Sequence, residues 1–187
     1  DRLNLHMPWS SGVIYWDFGN ISTGRLTSAW NGAWNNVWTH FAFTYSSTGG
    51  MKMFVNGTEY ATYAAGANQV FNSQNKYLQV MRYSSGTTMT GGVADFRVYN
   101  KELTEVQLTT IMNPTPALEN PLHPNCIGAW DFEHGESKDS SGYFRHATQS
   151  SITRALGHDV GAGPIGTAAA LSANSGKMIT PAFTAPL

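Results

Sequence analysis

Charge is scarce in this chain. Only 12% of its 187 residues are Asp, Glu, Lys or Arg, where soluble globular domains carry ~25%. The 11 basic and 12 acidic residues nearly cancel, leaving a formal net charge of -1. No surplus of positive charge exists to hold a phosphate backbone or an anionic lipid surface, so nucleic acid is not an expected partner. No apolar run approaches the ~20 residues that cross a bilayer, so membrane insertion is not expected either. Cysteine is almost absent. Cys126 stands alone, so no intrachain disulfide can form and the fold must rest on packing. We expect Cys126 to be a buried, inert thiol rather than a catalytic one. No charged and then apolar leader opens the chain, which begins with Asp1 and not Met. A processed product, an excised piece or a window on something longer is expected.

Gly, Ser, Thr and Asn fill the gap left by charge, and 41% of the residues are hydrophobic. The length suits one large domain or two small ones with a real core. Low charge with abundant Ser, Thr and Asn leans towards an extracellular, secreted or virion-surface setting.

Period-two patterns dominate, as half-buried strands require. In "RLNLHM", Leu3, Leu5 and Met7 alternate with Arg2, Asn4 and His6. "VIYWDFG" sets Ile14, Trp16 and Phe18 against Val13, Tyr15 and Asp17. "VWTHFAFTY", Val37 to Tyr45, is apolar or aromatic on both faces, as in a strand covered on both sides. A Gly49-Gly50 turn leads into "MKMFVNGTEY", where Asn56-Gly57 predicts a type I′ hairpin, whose two central residues need positive φ. "KYLQVM" and "VADFRVY" follow. The latter is expected to bury Ala94, Phe96 and Val98 and to turn Asp95, Arg97 and Tyr99 the other way.

One helix is predicted. Thr104-Glu-Val-Gln has the spacing of a capping box, with Thr104 and Gln107 serving each other's backbone. Val106, Leu108 and Ile111 or Met112 supply a short apolar stripe that stops before Pro114. A helix of about two turns is not stable alone, so it must dock on the sheet. "NPTPALENPLHPN" (Asn113 to Asn125) has no periodicity and reads as a linker. "CIGAWDFE" is a further strand and "KDSSGYFRHAT" a tight loop. "GPIGTAAALSANSGKMITPAF" gives two short strands around a turn at Asn174 to Gly176. Short strands at intervals of about eight to twelve residues, with Gly, Asn and Ser turns, predict an all-β fold: an antiparallel two-sheet sandwich or barrel.

"WTHFAFTYSSTGGMKMFVNGTEY" with "LQVMRYSSGTTMTGGVADFRVYNKELTEVQL" resembles the laminin-G-like, concanavalin A-like lectin/glucanase superfamily. The pattern is a Trp-x-His-x-Ala strand, a strand ending in Asn-Gly, then Gly-x-Ile-Asp-Asp-x-Arg-x-Tyr-Asn before a short helix. Trp38, His40, Ala42, Asn56, Gly57, Gly92, Asp95, Arg97, Tyr99, Asn100, Leu103 and Thr104 match it. Ala94 stands at the first of the two Asp positions. "IGAWDFEHGESKDSSGYFRHATQSS" resembles the opening of the same pattern, so its order is rotated. Residues 1–112 resemble the closing portion of a concanavalin A-like jelly roll, 113–125 are the linker, and 126–187 resemble the opening portion. Circular permutation, a window across tandem domains, and completion by a neighbouring subunit all fit that order. We favour one sandwich assembled from both portions, within one chain or between chains.

Glucanases of the superfamily use paired carboxylates on one strand. Glu-x-Asp-x-x-Glu is absent from the sequence, and Asp131 with Glu133 is the nearest approach. A catalytic role is therefore not expected. The resemblance also implies a structural Ca²⁺, with Asp131, Asp139, the Gly142 carbonyl and Asp95 as candidate ligands. The other reading of Asp139 is a cap on the turn "DSSG". The six histidines show no zinc-like spacing, and His40 is read as structural. "SAWNGAWNNVW" (Ser28 to Trp38) is the candidate ligand loop, through Trp30, Asn31, Trp34 and Asn35. Indole rings stack on sugar faces while amides read hydroxyls. The same rings could instead fill a core or a subunit interface, and Trp16 and Trp38 are expected to do so. The expected partners are a glycan or protein ligand and homo-oligomer or lattice neighbours. Asn20-Ile-Ser and Asn56-Gly-Thr are sequons.

Overall fold

The computed structural model describes residues 2–66, 69, 79–80, 91–112, 124–130, 138–150, 152–156, 167–171 and 177–179. Strands β1 (Arg2–His6), β2 (Val13–Gly19) and β3 (Arg25–Ala29) form one antiparallel sheet in that order. Strands β4 (Phe41–Ser46), β5 (Gly50–Val55) and β6 (Thr58–Tyr63) form a second antiparallel meander. The alternation in the sequence sets their inner faces. Ile14, Trp16, Phe18 and Leu26 from the first sheet meet Met51 and Met53 from the second in one buried cluster. Phe18 stacks on Tyr45 at 4.0 Å and Trp16 lies 5.7 Å from Phe43. Each such side chain taken out of water contributes about 1.5–3 kcal/mol, which makes this layer the main source of cohesion.

The far face of the second sheet is covered too, as the two-sided apolar pattern predicts. Phe54 and Ala42 pack against α1 (Glu105–Met112). The helix starts as a capping box: Gln107 N donates to Thr104 Oγ1 at 3.3 Å, and Thr104 N donates to Gln107 Oε1 at 2.9 Å. Leu103 before the cap and Leu108 in the next turn share the Phe54 cluster, a hydrophobic staple that fixes the entry angle. Val106 leaves the expected stripe and is exposed, whereas Leu103 joins the buried cluster.

The Asn56-Gly57 hairpin forms with φ of 49° and 83°, both positive as a type I′ turn demands. Only glycine fits its second position. A Cβ on Gly57 would stand 3.0 Å from Thr109 Oγ1 and 3.3 Å from Met112 Cε of α1.

Strands after the linker pair with strands before it. β9 (Phe96–Tyr99) runs antiparallel to β10 (Cys126–Trp130), with Phe96 opposite Trp130 and a bulge between Cys126 and Gly128. β13 (Thr167–Leu171) lies between β12 (Ile152–Leu156) and β8 (Gly91–Val93). β14 (Lys177–Ile179) lies between β11 (Thr148–Ser150) and β7 (Gln79–Val80). Every one of these pairings is antiparallel. The architecture is an all-β antiparallel sandwich with one short helix.

Several local expectations change. The strand expected from Val37 begins only at Phe41, and Val37 is exposed. The "VADFRVY" strand is broken by Asp95, whose φ of 52° interrupts the ladder between β8 and β9. Asp17 does not face water; it is fully buried and accepts both arms of Arg25. Trp16 is buried in the core, and Trp38 is half-buried. Strands β3, β11 and β12 answer to no strand expected from the sequence. Residues 113–123 of the linker, the 174–176 turn, and the Asp131–Glu133 pair lie outside the described residues.

Candidate functional site

The Trp-rich loop connects the two three-stranded meanders. It leaves β3 at Ala29 and enters β4 at Phe41, with a single 3₁₀ turn at Gly32–Trp34 between them. Asn31 caps that turn, its side chain accepting from Ala33 N at 2.9 Å. Asn35 ends it and accepts from Trp30 Nε1 at 2.9 Å. The two amides predicted to read hydroxyls thus first shape the loop. Asn36 follows at φ 60°, a left-handed position asparagine tolerates.

The rings form one cluster. Trp30 and Trp34 meet edge to face at 5.1 Å, and Trp30 stacks over Phe41 at 5.9 Å. Trp34 also meets Phe41 and Tyr60, each at 5.2 Å. Trp30 and Trp34 pack on the main core with one side. Yet both are only half-buried, Tyr60 is 46% exposed, and Asn31, Asn35 and Asn36 are exposed. The result is a preset aromatic surface with an amide rim. Phe41 and Tyr60 were not anticipated as site residues; they reach the cluster through the β4–β5–β6 register, which sequence alone does not give.

Two of the three carboxylates singled out for a cation are described: Asp95, just before β9, and Asp139, after β10. Asp139 is 5% exposed and is consumed by backbone: Oδ1 accepts from Ala129 N and Ser141 N, and Oδ2 from Arg145 N, each at 2.9 Å. Burial would raise its pKa, but the Ser141, Ala129 and Arg145 hydrogen bonds outweigh burial and hold it below the ordinary value. Asp95 forms a bidentate pair with Arg97, Nε to Oδ1 at 2.6 Å and Nη2 to Oδ2 at 2.7 Å. Burial opposes the Arg97 charge, and Asp95 more than offsets it, leaving the guanidinium pKa raised. Gly142 lies on the exposed loop at φ 88°. Nearby, burial lowers the His40 pKa, with Arg97 adding to the effect and Asp95 opposing it. Cys126 is buried, its thiol 3.4 Å from Gly128 O, and burial raises its pKa.

Residues 2–109 match the family model for the Concanavalin A-like lectin/glucanases superfamily. The chain belongs to this superfamily. No curated protein and no solved structure matches it. The superfamily match covers the whole aromatic cluster, the hairpin and the first part of α1, up to Thr109; residues 110–187 lie beyond it. Asp139 and Asp95 are the two described carboxylates of the expected calcium set. Asp139 and Asp95 already spend both oxygens within the protein, and among the described residues no three His, Cys, Asp or Glu side chains converge on a metal position. Asp131 lies outside the described residues.

Proposed function

We propose that this superfamily member is a non-catalytic binding module that takes a neutral glycan on the Trp30–Asn35 loop. One observation carries the reading: Trp30, Trp34 and Tyr60 are packed to one another but not buried, beside three exposed asparagines. Half-exposed rings held rigidly lose little entropy when a sugar face stacks on them, and amides supply paired donors and acceptors. The stretch from Trp30 to Trp38 contains no charged residue, which suits an uncharged ligand. Low overall charge fits display outside a cell or on a virion. We read residues 126–187 as the opening strands of the same sandwich, moved to the end of the chain; the β9–β10 pairing supports that order.

A glycan array with neutral and acidic members tests the reading, using wild type, Trp30→Ala, Trp34→Ala and the milder Tyr60→Ala. Neutral hits lost in folded variants are expected. Hits unaffected by all three changes, or none at all, refute it.

A second reading is a structural assembly subunit. The turn fixed by Asp139 holds Tyr143 and Phe144 outward, 52% and 77% exposed. Mass photometry tests it: oligomers abolished by Phe144→Asp support assembly, and a strict monomer counts against it.

A further inference from the structure

We propose that Asn20, and not Asn56, is an acceptor for an N-linked sugar, a covalent modification site on the turn between β2 and β3. The assignment does not depend on what the Trp30 loop binds. Both asparagines open an Asn-x-Ser/Thr triplet, the acceptor pattern of N-glycosylation. Only one of them is presented for the reaction by the folded chain. Asn20, Ile21, Ser22 and Thr23 are all exposed. The backbone of their turn is anchored: Gly24 N donates to Asn20 O at 2.6 Å, and Phe18 N donates to Gly24 O at 2.9 Å. Asn20 N and Thr23 Oγ1 both donate to Gln69 Oε1, at 3.3 and 3.2 Å. The Asn20 carboxamide stays outside this net. Its Oδ1 accepts from Ser22 N at 3.0 Å and from Ser22 Oγ at 2.9 Å, so the hydroxyl that defines the triplet already touches the amide it serves. Among the described residues Nδ2 has no hydrogen-bond partner, and Nδ2 is the atom that must react.

Asn56 is engaged elsewhere. Its Oδ1 accepts from His40 N at 3.0 Å, its own N donates to His40 O at 2.9 Å, and Thr58 is paired with Val55 in the β5–β6 ladder. Its carboxamide is therefore bonded across to the approach to β4, not to the hydroxyl two residues on. Position separates the two sites as well. His40 adjoins Phe41, where the Trp30 loop enters β4, so a sugar on Asn56 would crowd that loop. The Asn20 turn lies at the opposite end of β3 from the loop, about 15 Å along the strand. A bulky sugar there leaves the aromatic cluster open and can shield the exposed Ile21. The co-reactant is an activated sugar diphosphate. Asn20 Nδ2 forms a bond to the anomeric carbon, the bond from that carbon to the diphosphate oxygen breaks, and the diphosphate leaves with the electron pair. The amide proton passes to a base of the transferase.

Incubating the purified, folded chain with UDP-glucose and a soluble N-glucosyltransferase, then mapping its peptides by mass, tests this. Asn20 should gain a hexose in wild type and in Asn56→Gln, while Asn56 gains none. Ser22→Ala should abolish the transfer and Ser22→Thr should keep it. A second arm directs the full chain into the endoplasmic reticulum of cultured cells, where the donor is a lipid-linked oligosaccharide rather than a nucleotide sugar. There the Asn20 peptide should carry a whole oligosaccharide that an amidase releases. Transfer to Asn20 in either arm supports the site, and the arm in which it occurs names the donor. No transfer to Asn20 in either arm, or transfer to Asn56 of the folded chain as complete as at Asn20, overturns it.

Discussion

Asn56 and His40 hold each other through two hydrogen bonds. Asn56 N donates to His40 O at 2.9 Å, and His40 N donates to Asn56 Oδ1 at 3.0 Å. The hairpin tip is thereby tied to the residue that leads into β4, and Gly57 beside it rests on α1. Turn, strand and helix share one joint, which gives the Asn-Gly pair a role beyond reversing the chain.

Gly57→Ala should therefore cost more than a simple turn substitution. The left-handed φ alone costs about 1–2 kcal/mol, and the new Cβ must displace Thr109 or Met112. A lowered denaturant midpoint with an unchanged slope is expected; a neutral Gly57→Ala would mean α1 is not seated under the hairpin.

His40 should make stability pH-dependent. Its folded pKa lies below the ordinary 6.5. As pH falls through 6.5, the unfolded chain therefore takes up a proton that the folded ring resists. Its contribution is fully present above 6.5 and is lost as pH drops through the folded value. Subtracting the urea-melt profile of His40→Leu from that of wild type should isolate this slope. Parallel profiles would show that the ring titrates normally.

Asp139→Asn should destabilise the β10 loop by about 1–3 kcal/mol, because an amide nitrogen would face a buried N–H that now has an acceptor. The wild-type carboxylate is held below its ordinary 3.8. Its stabilisation is present above that value and is lost as pH falls through the folded pKa. The variant should lack this acid-limb component. Equal acid sensitivity in both proteins would contradict the three-bond arrangement.

Excess chelator should leave the melting temperature unchanged, since Asp139 is held by backbone N–H groups and Asp95 by Arg97. A fall of several degrees that calcium restores would show a bound metal.

Much of this fold is legible where local chemistry decides it. The capping box at Thr104, the Asn56-Gly57 turn and the alternation of β2 each depend on residues within a few positions. Strand β3 escapes such reading because its fully buried residue is Leu26 alone, with Ser28 half-buried beside it. The burial of Asp17 comes with its pairing to Arg25, and that contact exists only once β2 and β3 are in register. Likewise the aromatic loop is visible as a run of Trp and Asn, whereas Phe41 and Tyr60 join it through strand pairing. Tertiary register is what the linear pattern does not carry.

The proposed single sandwich with a rotated order rests on the pairing of β9 with β10 inside one chain. Cys126 lies directly opposite Tyr99 in that ladder. Opposed residues in an antiparallel pair have Cα atoms about 4.5–5.5 Å apart, within disulfide reach. Oxidising Tyr99→Cys and measuring intact mass and gel mobility without reductant should give a monomer two mass units lighter (about 2 Da, the two thiol hydrogens lost as the bridge closes), with both thiols gone. Free thiols, or disulfide-linked dimers, would contradict closure within a single chain.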